Sequence, residues 1–161
     1  MAAAPEQIAD DHWLYRRLAV HNIRQSDGSV HYNAFMRNAD PRGRKKEPDP
    51  DVSVDLARLT TPEQSLAAAG RPDQGIGAIQ AGLPRSLAPG QIDVVHTPVL
   101  EPPERRNLAH ASIRGNEGAG ALDRCTLMAE GMSKSVLIYP AGSPWRRETG
   151  GMAAQTDDPG T

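Results

Sequence analysis

Apolar and polar residues alternate most cleanly in VSVDLA, residues 52–57. Val52, Val54 and Leu56 fall on one face and Ser53, Asp55 and Ala57 on the other, the signature of a half-buried strand. A second alternation, LAHASIR over 108–114, sets Ala109, Ala111 and Ile113 against His110, Ser112 and Arg114. Helical spacing takes over in TTPEQSLAAAG. There Thr61 can cap, Pro62 can occupy the first turn, Gln64 can complete a capping box and Gly70 can end the element, which predicts a helix over 62–69. Leu122, Cys125, Ala129 and Met132 recur at helical spacing and predict a second helix over 119–132.

Near the N-terminus, Asp10 or Asp11 can cap a short helix carrying Trp13, Leu14, Tyr15 and Leu18, or a strand can begin at Leu18. Asp27-Gly28 separates two partly apolar runs, so a hairpin of strands at 18–24 and 30–36 is expected, with Val30, Tyr32, Ala34 and Met36 sharing a face. GIGAIQAGL reads as a strand passing close to another backbone. QIDVVH reads as a short strand ending near His96, and SVLIYP as a buried final strand closed by Pro140. Three stretches break the pattern: residues 1–11, a flexible N-terminus; 37–51, an exposed loop dense in proline and charge; and 141–161, a disordered tail. The remainder, 12–140, is expected to be one α+β domain, with a mostly antiparallel sheet of about five to seven strands and two or three short helices on one face.

Composition narrows the function more than the fold. With 18 basic against 20 acidic residues the formal charge is -2, so no global field draws the chain to nucleic acid or an anionic membrane, and nucleic-acid binding is not expected. The single cysteine, Cys125, excludes an internal disulfide and suits a reducing compartment. No apolar run has the length of a membrane span and the N-terminus lacks the regions of a signal peptide, so a cytoplasmic protein is expected.

Candidate chemistry centres on His110. His110-Ala111-Ser112-Ile113 resembles one arm of the two-histidine phosphoesterases, whose catalysis needs a second histidine and hydroxyl on a facing strand. His96-Thr97-Pro98 has proline where that hydroxyl belongs, and His21 and His31 lack the hydroxyl altogether. Cys125 could be a nucleophile with His110 as partner, but its neighbours at helical spacing place it in the core. The histidines and cysteine show no metal-ligand spacing, and GRPDQGIGAIQAG fails both phosphate-loop templates, so neither a metal nor a cofactor is expected. Arg42, Arg44, Lys45, Lys46 and Arg105 are followed by acids or lack interleaved aromatics. No catalytic residue is assigned. The candidate binding face is His110, Ser112 and Arg114, with Arg106 and His96.

The segments LYRRL, NAFMRN, VSVDLARLTTPEQSLA, GIGAIQAGLPRSL and LAHASIRG together resemble small uncharacterised bacterial proteins. These share an AF strand, an SV strand followed by a TPE helix, a glycine-rich strand and a late HAxI strand. The resemblance covers about residues 13–132 and implies that Phe35, Ser53, Val54, His110 and Ile113 belong to a common framework, with no activity attached. The function expected is that of a non-enzymatic binding or protein-interaction module, such as an accessory component of a bacterial operon, contacting a protein partner or a small anionic ligand. The alternative is a small hydrolase or phosphoesterase acting on a nucleotide or RNA end through His110.

Overall fold

A computed structural model describes residues 6–36, 51–71 and 73–145. Its strands are β1 (Trp13–Leu18), β2 (Asp51–Leu56), β3 (Gly75–Gln80), β4 (Asp93–His96), β5 (His110–Arg114) and β6 (Val136–Ile138). They form one antiparallel sheet in the order β4-β5-β2-β1-β3-β6, so the α+β class is as expected. The helices are α1 (Pro62–Ala69), α2 (Gly82–Leu87) and α3 (Ala121–Ser133). Because β1 is antiparallel to both neighbours, β2 and β3 run parallel to each other, and α1 carries the chain across β1 between them. In the same way α3 links β5 to β6 across the sheet.

The principal core lies between one face of the sheet and α3. Leu14, Leu18, Val54, Leu56, Ala111 and Ile113 pack there with Phe35, Met128 and Met132. The other face carries a smaller cluster of Tyr15, Ile76, Ala78 and Leu137, covered by Leu66 of α1. The helices therefore divide between the two faces, where one face had been expected to hold them all. The apolar residues that β1, β3 and β6 present on the second side need a cover of their own.

That double burial also explains why residues 13–18 form a strand and not the expected helix. A strand covered on both faces has no reason to alternate, and Leu14, Tyr15 and Leu18 are all buried. After Leu18 the expected strand gives way to a 3-10 turn at Val20–Asn22, and the hairpin shrinks to one isolated bridge between Ile23 and Val30. The Asp27-Gly28 turn itself forms, with Gly28 at φ 76° and the Asp27 carboxylate accepting from Ser29. Residues Tyr32–Phe35 are 3-10 helix where a strand was expected, capped by the His31 ring, which accepts from the Asn33 amide. This tighter winding turns both Ala34 and Phe35 inward, while Met36, on the expected face, is exposed.

Helix α1 keeps its expected bounds, but among the described residues the Gln64 side chain does not accept from the Thr61 amide, so only half of the expected capping box forms. Thr61 Oγ1 accepts from the Gln64 amide at 3.2 Å, Pro62 opens the helix and Gly70 closes it at φ 66°. The glycine-rich strand stops at Gln80, and the last residues of that segment turn into α2. The late strand starts at His110, two residues after its expected beginning. Residues 6–11 are tied to the body of the fold: Ile8 is buried, the Glu6 amide donates to His96 Nδ1 and the Glu6 carboxylate pairs with Arg58. Most of the expected loop at 37–51 and the expected tail beyond 145 lie outside the described residues, but Asp51 opens β2 and Trp145 packs over Gly28. Among the described residues, no helix is long and apolar enough to cross a membrane.

One glycine after β5 is under a double constraint. Gly115 has φ 91°, and a Cβ there would stand 2.1 Å from the Gln91 carbonyl oxygen. Left-handed strain of about 1–2 kcal/mol plus a comparable packing penalty predicts that Gly115→Ala lowers the melting temperature by ~5 °C or more in differential scanning fluorimetry. An unchanged melting temperature would mean that the Gln91 backbone yields freely.

Candidate functional site

On β5 the three alternating polar residues do not act as one group. His110 is half-buried, its Nδ1 lying 2.8 Å from the Thr97 carbonyl and 3.0 Å from Thr97 Oγ1. The Thr97 hydroxyl is also 2.9 Å from that of Ser112, which is buried. Arg114 turns outward and pairs with Asp51 at 3.0 Å. Arg106 is exposed beyond the 3-10 turn Pro103–Arg105.

His96 pairs in register with Ala111 and therefore faces the side of the sheet away from His110. Its two ring nitrogens meet the Glu6 amide and the Leu108 carbonyl. Folding brings His110 and Ser112 together through Thr97 and leaves Arg114, Arg106 and His96 apart. His96 and His110, on opposite faces, do not form the paired imidazoles that phosphoesterase chemistry requires. Cys125 sits in the principal core with its thiol donating to the Phe35 carbonyl, across the sheet from His110. Among the described residues there is no group of three or more His, Cys, Asp and Glu side chains placed to hold a metal.

Asp55 shares the sheet face of His110, to which it is paired in register. The sequence pattern assigns this face to solvent, yet Asp55 is 0% exposed because α1 lies over it. Oδ2 is 3.2 Å from the Arg17 guanidinium and accepts from Ser65 Oγ, while Oδ1 accepts from Asn107 Nδ2 at 2.9 Å. Both carboxylate oxygens are thus satisfied, as burial demands. Tyr15, paired with Asp55 from β1, has its phenol pushed up by burial and by the Glu63 charge.

Arg17 leads from this buried carboxylate to a cleft of about 370 Å³ at the end of β1. Adjacent residues in a strand point to opposite faces, and Arg16 and Arg17 obey this within the sheet. Arg16 lies on the principal-core side, where Nε donates to the Ala34 carbonyl and Nη1 to the Ser53 carbonyl, both at 2.9 Å. Arg17 lies on the α1 side. At the end of the strand both nevertheless border the same opening, joined by Arg71 from beyond α1. The Arg71 backbone is fixed by the helix cap, its amide donating to the Leu66 carbonyl. Its guanidinium makes no hydrogen bond or ion pair among the described residues. His21, Asn22, Asn33 and Gln74 complete the polar lining, and no carboxylate is among the described residues that form it.

The electrostatics of the cleft turn on Arg16. Its hydrogen-bond partners among the described residues are two neutral carbonyls, with no carboxylate among them. Burial first, and repulsion from Arg17 second, pull the guanidinium down to about 10. Even a partly desolvated cation without an anion is costly to keep, and such a group in a cleft is a functional-site signal.

The sequence pattern points to β5 and gives little sign that Arg16, Arg17, Arg71 and Asn33 border one cleft. The only local hint was the Arg16-Arg17 doublet beside an apolar strand. The convergence of Arg71 and Asn33 depends on the crossover of α1 and the 3-10 winding after Val30. No protein-family model, curated protein or solved structure matches the chain. What fold and site define together is an antiparallel α+β protein with a cationic cleft at one end of its central strand.

Proposed function

We propose that the protein is a non-enzymatic binding module whose ligand is a small anion seated in the Arg16-Arg17-Arg71 cleft. The observation that carries this reading is Arg16, a half-buried cation held by carbonyls alone at the wall of a cleft with no acidic residue among its described lining. An anion entering the cleft would supply the missing countercharge and accept charge-assisted hydrogen bonds from guanidinium groups. His110 supports a structural role on this reading, since its Nδ1 is occupied by Thr97 on a strand next to β2.

The test is a thermal-shift titration of the whole chain with inorganic phosphate and with citrate in low-salt buffer. A ligand at a hundred times its dissociation constant adds about 2.7 kcal/mol of stability, enough to raise the melting temperature by ~5 °C or more for a chain of this size. Arg71→Ala, which removes a side chain with no hydrogen-bond or ion-pair partner among the described residues, is expected to keep the ligand-free melting temperature and to lose most of that shift. If neither anion moves the melting temperature of the unaltered chain, the proposal fails.

A further inference from the structure

The lining of the cleft says more about its ligand than its charge does. A bare anion needs donors only, and the three arginines supply them. The remaining wall offers donors and acceptors side by side. Asn22 Nδ2 gives one hydrogen to Asn33 Oδ1 at 3.0 Å, and Asn22 Oδ1 accepts from the Ala19 amide. Each side-chain amide has two hydrogens and two acceptor positions, so both keep capacity after these bonds. Gln74 and His21 use none of their side-chain capacity within the described structure. Groups that donate and accept at neighbouring points match hydroxyls, which do the same.

Two further properties bound the ligand. Among its described lining residues only Ala19 and Ala69 are apolar, and the exposed His21 imidazole is the one aromatic ring, so a nucleobase would find little to stack on beside the arginine planes. The volume, about 370 Å³, lies at the small end of the range of roughly 300–1,000 Å³ usual for ligand sites. We infer that the cleft takes a phosphomonoester carried on a small hydroxylated carbon frame, with the phosphate among Arg16, Arg17 and Arg71 and the hydroxyls along Asn22, Asn33, Gln74 and His21. This assignment of ligand class rests on the anion-binding reading above.

Isothermal titration calorimetry of the full chain with glucose 6-phosphate, inorganic phosphate and AMP separates the two levels. Glucose 6-phosphate is expected to bind about tenfold or more tightly than either of the others. Gln74→Ala is expected to weaken glucose 6-phosphate binding at least fivefold while leaving phosphate binding unchanged. Equal affinities for glucose 6-phosphate and phosphate, or no selective effect of Gln74→Ala, would overturn the hydroxyl assignment and leave anion binding standing. Tighter binding of AMP would overturn it in favour of a base-reading site. Absence of binding by all three would remove both readings. Flotation with phosphatidylcholine vesicles containing phosphatidylinositol 4-phosphate assigns the same chemistry to its source: retention indicates a lipid headgroup, and binding of glucose 6-phosphate without retention indicates a free metabolite.

Discussion

Asp55→Ala is expected to destabilise the protein by about 3–5 kcal/mol, the range found when one member of a buried ion pair is removed. The carboxylate is fully enclosed and serves three donors, from Arg17, Ser65 and Asn107, which belong to three different parts of the chain. Alanine leaves a guanidinium that is only 21% exposed without its countercharge, and leaves two more polar groups without an acceptor. At ~2–4 °C per kcal/mol this corresponds to a fall in melting temperature of about 10 °C, measurable by scanning calorimetry. Asp55→Asn keeps an acceptor and much of the volume, so its loss should be smaller. If both variants stay within ~1 kcal/mol of the unaltered chain by urea denaturation, water must enter and satisfy the cluster, and α1 does not seal it as described.

Arg16→Met should do the opposite: weaken anion binding and leave the fold intact. Losing the two hydrogen bonds to the Ala34 and Ser53 carbonyls costs about 1–3 kcal/mol. Against that stands the relief of holding a cation partly out of water, since apolar replacement of desolvated charges is often neutral or stabilising. The sign follows from linkage. The folded-state guanidinium titrates at about 10, below its ordinary value, so folding disfavours the charged form. The penalty is fully present below about pH 10 and is relieved as pH rises from there toward the ordinary guanidinium value. Methionine removes it at every pH. The melting temperature of Arg16→Met should therefore stay within ~5 °C of the unaltered chain, while phosphate affinity falls by about tenfold or more, as expected for the loss of a charge-assisted contact. In the unaltered chain, phosphate affinity should decline as pH rises through about 10, where free Arg16 loses its proton. A large drop in melting temperature with anion binding retained would make Arg16 a strut between β1, β2 and the 3-10 turn, not a ligand-binding group.

The elements legible from sequence were those whose determinants are local. Helix α1 carries its own start and stop in Thr61, Pro62 and Gly70, and β2 has one face in the principal core, so its pattern alternates. Trp13–Leu18 misled because α1 and α3 cover the two faces of β1, an arrangement that no six-residue window encodes. Tyr32–Phe35 misled because its cap is the His31 ring, an unusual capping group. The same limit hid the cleft. Its arginines come from a strand end and from the residue after a helix cap, which become neighbours only once α1 has crossed β1. Asp55 was read as an outward residue because the alternation of β2 is blind to what later lies on its outer face.

The position of β1 has a consequence for how the molecule can be divided. The strand nearest the N-terminus is the seam of the sheet, bonded along one edge to β2 and along the other to β3. Parting the chain after Leu18 would leave two unsatisfied backbone edges facing each other across a strand-wide gap. A synthetic peptide spanning residues 6–18 would fit that gap as a missing stave, which makes this protein a natural scaffold for reassembly from two fragments.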